Sequence, residues 1–308
     1  LQETPWVLQS QDESERKKRI ALLFDLNRMS SEMSAALQQL EQLQTPNGGW
    51  AWFAGGPDNR YITQYILAGI GHLQQLNIAG ADSKTRMMVE RAIPYLDARI
   101  QEDYDNLIKY KVKTDQNNLS YHAAYYFYAR SYFNDIPVSE KHKKAFDYYK
   151  SQVQQYWTKQ GIYTQGMIAL ALYRSGDKKT AASILKSLKE NAIVHEELGM
   201  YWKSNSSGYY WYEAPVETQA LLIEAFDEAG NDVASVDAMK LWLLKQKQTN
   251  EWKSTKATAE AVYALLLRGS TWLMNEPAIT VSLGKQVVDL SKTNAEPGTG
   301  YYKTSWKE

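Results

Sequence analysis

The stretch IYTQGMIALA, residues 162–171, decides the fold, because it returns along the chain. YITQYILAGI covers 61–70, VETQALLIEA 216–225 and KATAEAVYAL 256–265, so Thr63, Thr164, Thr218 and Thr258 take the same place in each copy. Three of the four threonines are followed by Gln, and a degenerate copy, LSYHAAYYFY at 119–128, puts Tyr121 at the threonine position. The spacings of 58, 43, 54 and 40 residues are those of a repeated two-element unit. Each copy starts like a helix. Asn59 and Ser254 are good N-caps, Pro215 suits a first turn, and Gln160 is a weaker start. After each threonine the residues are apolar almost all round, as in IALALY, and a helix of that kind is buried on every side.

Helices of a second kind lie between the copies. SSEMSAALQQLEQLQ carries Met33, Leu37, Leu40 and Leu43 on one face. KKTAASILKSLKEN carries Ile184, Leu185 and Leu188, and VASVDAMKLWLLKQK carries Val236, Met239 and Leu243. A single apolar stripe implies a wet outer face. Buried helices alternating with half-buried ones predict an all-α chain arranged as an α/α toroid, two concentric rings. An open solenoid would leave IALALY facing groove solvent. Eleven helices are expected, near 13–29, 31–44, 60–76, 82–110, 118–133, 138–156, 161–175, 178–193, 215–229, 232–247 and 254–268. Six would be inner and five outer, with an outer partner expected before Leu1. The toroid would span 1–272, truncated at its N-terminal end, with 273–308 leading into a following β-domain. Glu276-Pro277 breaks the helical pattern, and AITVSLGKQVVDL then alternates apolar and polar about Gly284-Lys285, which predicts a β-hairpin.

Composition removes several function classes. The 308 residues contain 35 Lys plus Arg against 35 Asp plus Glu, so no field of one sign favours nucleic acid or an anionic membrane. No cysteine is present, which excludes disulfides, thiolate metal sites and thiol nucleophiles. No apolar run approaches the roughly 18 residues of a membrane helix. His195-Glu196-Glu197 lacks the second histidine of a zinc HExxH motif, since position 199 is Gly. The run Glu102-Asp103-Tyr104-Asp105 reads as a solvated helix face, and Gly161 and Gly166 lack the Lys-Ser/Thr of a phosphate loop. No metal or cofactor is expected.

The connectors between outer and inner helices, GGWAWF at 48–53, LGMYWKSNSSGYYWYEAP at 198–215 and QTNEWKST at 248–255, all carry tryptophan. Two readings stand. The indoles plug the ends of the barrel, or Trp50, Trp52, Phe53, Trp202, Tyr209, Tyr210, Trp211 and Tyr212 form an interaction surface, a role that suits half-exposed aromatics. A carbohydrate-active toroid is the enzymatic alternative. Glu213, Glu217 and Glu260 all lie near inner-helix starts, and paired carboxylates about 5–9 Å apart across a pocket cleave glycosides. First-turn acids also favour the helix dipole without any catalytic role.

LQQLEQLQTPNGGWAWFAGGPDNRYITQYILAGIGHL, with ETPWVLQSQDESERKKRIALLFDLNRM before it, resembles the thioester domain of the alpha-2-macroglobulin and complement family, bacterial branch. The Gln44-to-Trp50 element QxxxGxW also occurs in other toroids such as triterpene cyclases. The resemblance covers residues 1 to about 272. It implies a toroid within a large, many-domain, secreted or periplasmic protease trap, with neighbouring β-domains and target proteases as partners, and no membrane contact by this segment. The family's reactive bond joins Cys and Gln of a Cys-x-Glu-Gln motif. Without cysteine this chain carries no such bond, and the motif is expected upstream of Leu1 or lost. The stretch 101–118, which matches the loop of the family's catalytic histidine, contains no histidine, so that role is not transferred. Nearby His122, within YHAAYYFY, reads as a packed core residue.

Overall fold

A computed structural model describes residues 26–77, 82–205, 214–249, 252, 254–267, 281–283 and 286–288. The described chain is all-α, with three two-stranded antiparallel ladders. Its helices are α1 (Leu26–Gln42), α2 (Arg60–Gln75), α3 (Asp82–Lys109), α4 (Tyr121–Arg130), α5 (Glu140–Tyr156), α6 (Ile162–Arg174), α7 (Lys178–Glu190), α8 (Pro215–Glu228), α9 (Val233–Thr249) and α10 (Thr255–Leu266). The ladders pair β1 (Trp50–Ala51) with β2 (Asp58–Asn59), β3 (Ile193–His195) with β4 (Gly199–Tyr201), and β5 (Val281–Leu283) with β6 (Gln286–Val288). The chain divides into two compact units, Leu37–Leu267 and a second drawn from Leu1–Ala36 and Arg268–Glu308. The β5–β6 hairpin of the second unit pairs Leu283 with Gln286 across Gly284-Lys285, where the alternation placed a turn.

Within Leu37–Leu267 the threonine-marked helices are the core. Residues 167–172 of α6 and 220–223 of α8 are buried without interruption, as the all-round apolar pattern requires. Helices α2, α4, α6, α8 and α10 each pack on the next in that order. They run parallel. The first turns of α2 and α4 meet where Gln64 Nε2 donates to the His122 carbonyl, and their last turns meet at His72 and Tyr128. The row turns back on itself, since Tyr263 of α10 stacks on His72 of α2 with ring centroids 3.7 Å apart. The intervening helices bury one stripe each: Met88, Ala92 and Leu96 in α3, Ala145, Tyr149 and Val153 in α5, Ile184 and Leu188 in α7, and Val236, Met239 and Leu243 in α9.

The caps follow the sequence. Asn59, Ser120 and Ser254 each accept the amide three residues on, and Pro215 opens α8. The repeated threonine closes the first turn, with Thr63 Oγ1 donating to the Asn59 carbonyl and accepting the Trp50 amide. Two expectations change. The boundary placed between helices 13–29 and 31–44 is absent, because α1 passes unbroken through Ser30 and Ser31; the rest of the 13–29 expectation lies outside the described residues. Thr63, Thr164 and Thr218 are buried but Thr258 is exposed, because α10 ends the row and turns one face outward. That face borders a groove of about 970 Å³ between α10 and α2, walled by Ile66, Leu73, Leu76, Val262 and Leu266 and reached by Leu37 and Leu40.

Candidate functional site

The first connector sorts its aromatics by depth. Trp50 is 2% exposed, and its indole N–H donates to the Leu40 carbonyl at 2.8 Å. Trp52 and Phe53, two and three residues later, are 56% and 66% exposed. Trp202 repeats the role of Trp50. It is buried, and its indole N–H donates to the Leu188 carbonyl near the end of α7. The interaction-surface reading is therefore corrected for Trp50 and Trp202: an indole whose one donor is satisfied inside is a plug. Trp52 and Phe53 remain outward. Tyr209, Tyr210, Trp211, Tyr212 and Glu213 lie outside the described residues.

At the C-terminal end of the helix row every buried helix contributes one polar group or more. Glu224 of α8, 1% exposed, accepts from Tyr128 Oη at 2.7 Å, from the Tyr132 hydroxyl, and from Arg174 Nη2 at 2.6 Å. Tyr263 Oη reaches the same carboxylate at 3.3 Å, and His72 Nε2 stands 3.6 Å away. Arg174 of α6 also donates through Nε to Glu228 at 2.8 Å, and its guanidinium lies 3.8 Å from the centre of the Tyr132 ring. Burial pushes the Glu224 carboxyl up, but the charges of Arg174 and His72 and the hydrogen bonds it accepts hold it well below the usual carboxylate range. This end carries a hydrogen-bonded ionic network beside a polar recess of about 620 Å³ lined by Tyr132, Arg174 and Glu228.

The N-terminal end is aromatic. Tyr61 and Tyr65 of α2 stack in parallel at 6.4 Å, Tyr61 meets Tyr125 at 5.7 Å, Tyr125 meets Tyr121 at 5.8 Å, and Tyr121 stacks near-parallel on Tyr163 at 6.5 Å. Lys256 Nζ lies 5.7 Å from the centre of the Tyr65 ring. Two of the alternative-enzyme carboxylates belong here. Glu217, in the first turn of α8, is 4% exposed, and both it and Glu260 of α10 help raise the hydroxyl pKa of Tyr61, Tyr65 and Tyr163, after burial itself. Glu260 lines the groove between α2 and α10, and Glu217 does not.

Burial also raises the Glu260 carboxyl, against the pull of His72 and Lys256. A carboxyl raised in the fold contributes stability below its unfolded pKa and loses it as pH rises through the folded value. Glu260→Gln is therefore expected to raise the denaturant midpoint at neutral pH, with the gain shrinking as pH falls toward 4. An unchanged midpoint at pH 7 would show that the ionised carboxylate is fully compensated.

The remaining sequence candidates resolve simply. His122 is exposed at the first turn of α4, not packed in the core, because the buried stripe begins one residue later at Ala123. His195 is exposed, and its Nδ1 accepts the amides of Glu197 and Leu198, which shapes the β3–β4 turn. Asp103 of the acidic run pairs with Arg60. Among the described residues no cluster of three His, Asp or Glu side chains is placed to hold a metal ion, and no helix is long and apolar enough to cross a membrane. No protein-family description and no curated protein matches the chain.

Proposed function

We propose that residues Leu37–Leu267 are an α/α toroid acting as a non-catalytic docking module of a macroglobulin-like protease trap. The observation that carries this reading is the division of labour in the first connector. Trp50 is anchored inside, while Trp52 and Phe53, in the loop that closes the same short ladder, are exposed, with Trp52 6.2 Å from the Tyr61 ring. Exposed aromatics on a rigid, preorganised base are what a protein–protein hot spot needs. The C-terminal end of the helix row supports the same view, since Glu224, Arg174 and the tyrosines there hold one another. In the parent protein the module shields or presents a thioester carried elsewhere and docks on adjoining β-domains, in an extracytoplasmic setting.

The test mixes the full chain with the flanking segments of its parent reading frame and measures association by sedimentation. Trp52→Ala combined with Phe53→Ala is expected to weaken association by at least ~2 kcal/mol. Surface changes of this kind leave the thermal midpoint almost unchanged. Incubation with serine and metalloproteases is expected to leave no covalent adduct on a denaturing gel. An adduct, or association indifferent to both aromatics, overturns the reading.

A further inference from the structure

The groove between α2 and α10 is apolar over most of its wall, yet one carboxylate lines it. Ile66 and Leu73 stand on one side, Val262 and Leu266 on the other. Val262 and Leu266 are exposed, so the groove opens to solvent. Gly69 lies in the α2 wall, and a methyl group there would meet nothing within 4 Å. Two residues on, Gly71 has a packing reason, since its methyl would stand 2.3 Å from the Tyr132 ring. Gly69 has no such neighbour, and a glycine inside a helix lowers stability. What its missing side chain leaves is room in the groove. Glu260 supplies the charge. Among the described lining residues it is the only carboxylate, and no lysine or arginine accompanies it. His72 Nδ1 stands 4.0 Å from its Oε2, and Lys256, on the same helix, does not line the groove. Burial raises the Glu260 carboxyl despite both, so the fold leaves its charge undercompensated. An apolar cavity of this size with few polar groups has the form of a small-molecule site, and the carboxylate selects a cation.

We propose that this groove binds an aliphatic amine, its hydrocarbon chain laid along Ile66, Gly69 and Leu73 and its ammonium group paired with the Glu260 carboxylate. The α2 wall from Ile66 to Leu76 runs about 15 Å, enough for a chain of medium length. Apolar burial supplies the affinity, and the carboxylate distinguishes the amine from an alcohol or a fatty acid of equal length. The inference is independent of the docking role proposed for Trp52 and Phe53.

Titration calorimetry of the full chain at neutral pH tests it with n-octylammonium, n-butylammonium, 1-octanol and octanoate at matched ionic strength. The expected result is saturable binding of octylammonium, at least about tenfold tighter than butylammonium, because each buried methylene is worth about fourfold. Octanol should bind about tenfold more weakly than octylammonium, and octanoate more weakly still. Glu260→Gln should remove the preference for the amine over the alcohol and leave the dependence on chain length. A purely structural Glu260 would change stability but not that preference. Gly69→Leu should abolish binding of both by filling the groove, without lowering the thermal midpoint, since leucine favours the helix and its side chain has space. Far-ultraviolet circular dichroism verifies that each variant is folded. Octylammonium that fails to saturate, octanol that binds as tightly, a Glu260→Gln chain that keeps the amine preference, or a folded Gly69→Leu chain that binds unchanged overturns the proposal.

Discussion

Arg174→Leu is expected to lower unfolding free energy by about 3–5 kcal/mol, the range found when one partner of a buried ion pair is removed. The loss is large because of what stays behind. Glu224 would remain in the interior with hydroxyl partners from Tyr128, Tyr132 and Tyr263 but without its main countercharge, and Glu228 would lose two donors. The contact holds α6 to α8, and through the tyrosines and His72 it ties α4, α10 and α2 to the same carboxylate. Urea unfolding supplies the measurement. A loss below ~1 kcal/mol would mean the network is ornamental to stability. Combining Arg174→Leu with Glu224→Leu should recover part of the deficit, since an apolar pair of similar volume carries no uncompensated charge.

The same network fixes the sign of an acid dependence. Glu224 has a folded-state pKa below its unfolded value of about 4.3, so the unfolded chain takes up the proton more readily. Its contribution is present above that pH and is lost as pH falls toward the folded value. Glu224→Gln should therefore be less stable than wild type at neutral pH, with the gap closing progressively below about pH 4. Glu260 runs the other way, which makes the two substitutions opposite in sign at pH 7.

Much of this architecture is legible in the sequence because burial leaves a periodic trace. The TQ copies locate the interior helices, and their threonines and glutamines do visible structural work: Thr63 closes a first turn, while Gln64 and Gln219 reach the carbonyls of His122 and Met200. The outer stripes at Ile184, Leu188, Val236 and Met239 are legible for the same reason. The ionic centre is not, because His72, Arg174 and Glu228 look like ordinary polar residues at helix ends. One signal is there to be read. His72 follows Thr63 by nine residues, and Arg174 and Glu228 follow Thr164 and Thr218 by ten. Once the helices are parallel, offsets of nine to ten residues bring the three to nearly one level. Trp50 and Trp202 are ambiguous for a different reason, since a tryptophan in a connector has the same composition signature whether it faces in or out. Only the carbonyls of Leu40 and Leu188, near the ends of the helices that precede the two connectors, decide it.

Those two tryptophans sit in a repeated device with a steep substitution cost. Gly48 and Gly199 both adopt positive φ, +94° and +77°, in connectors that leave an outer helix. Each lies directly on the next outer helix. A methyl group at Gly48 would stand 2.1 Å from the Arg91 carbonyl oxygen of α3, and one at Gly199 would stand 2.0 Å from the Ala238 carbonyl oxygen of α9. Backbone against backbone has no rotamer to yield, so the connector or the helix must move. Gly48→Ala and Gly199→Ala are each expected to cost about 2–5 kcal/mol, from the left-handed conformation together with the overpacking. Gly176 separates the two causes. Its φ is +94°, and a methyl group there meets nothing within 4 Å. Gly176→Ala should cost only the conformational part, ~1–2 kcal/mol. Equal losses at all three sites would assign the whole effect to φ and remove the close approach from the account. A larger loss at 48 and 199 would make contact with the outer helices the reason these two connectors turn where they do, and the reason Trp50 and Trp202 return to the helix the chain has just left.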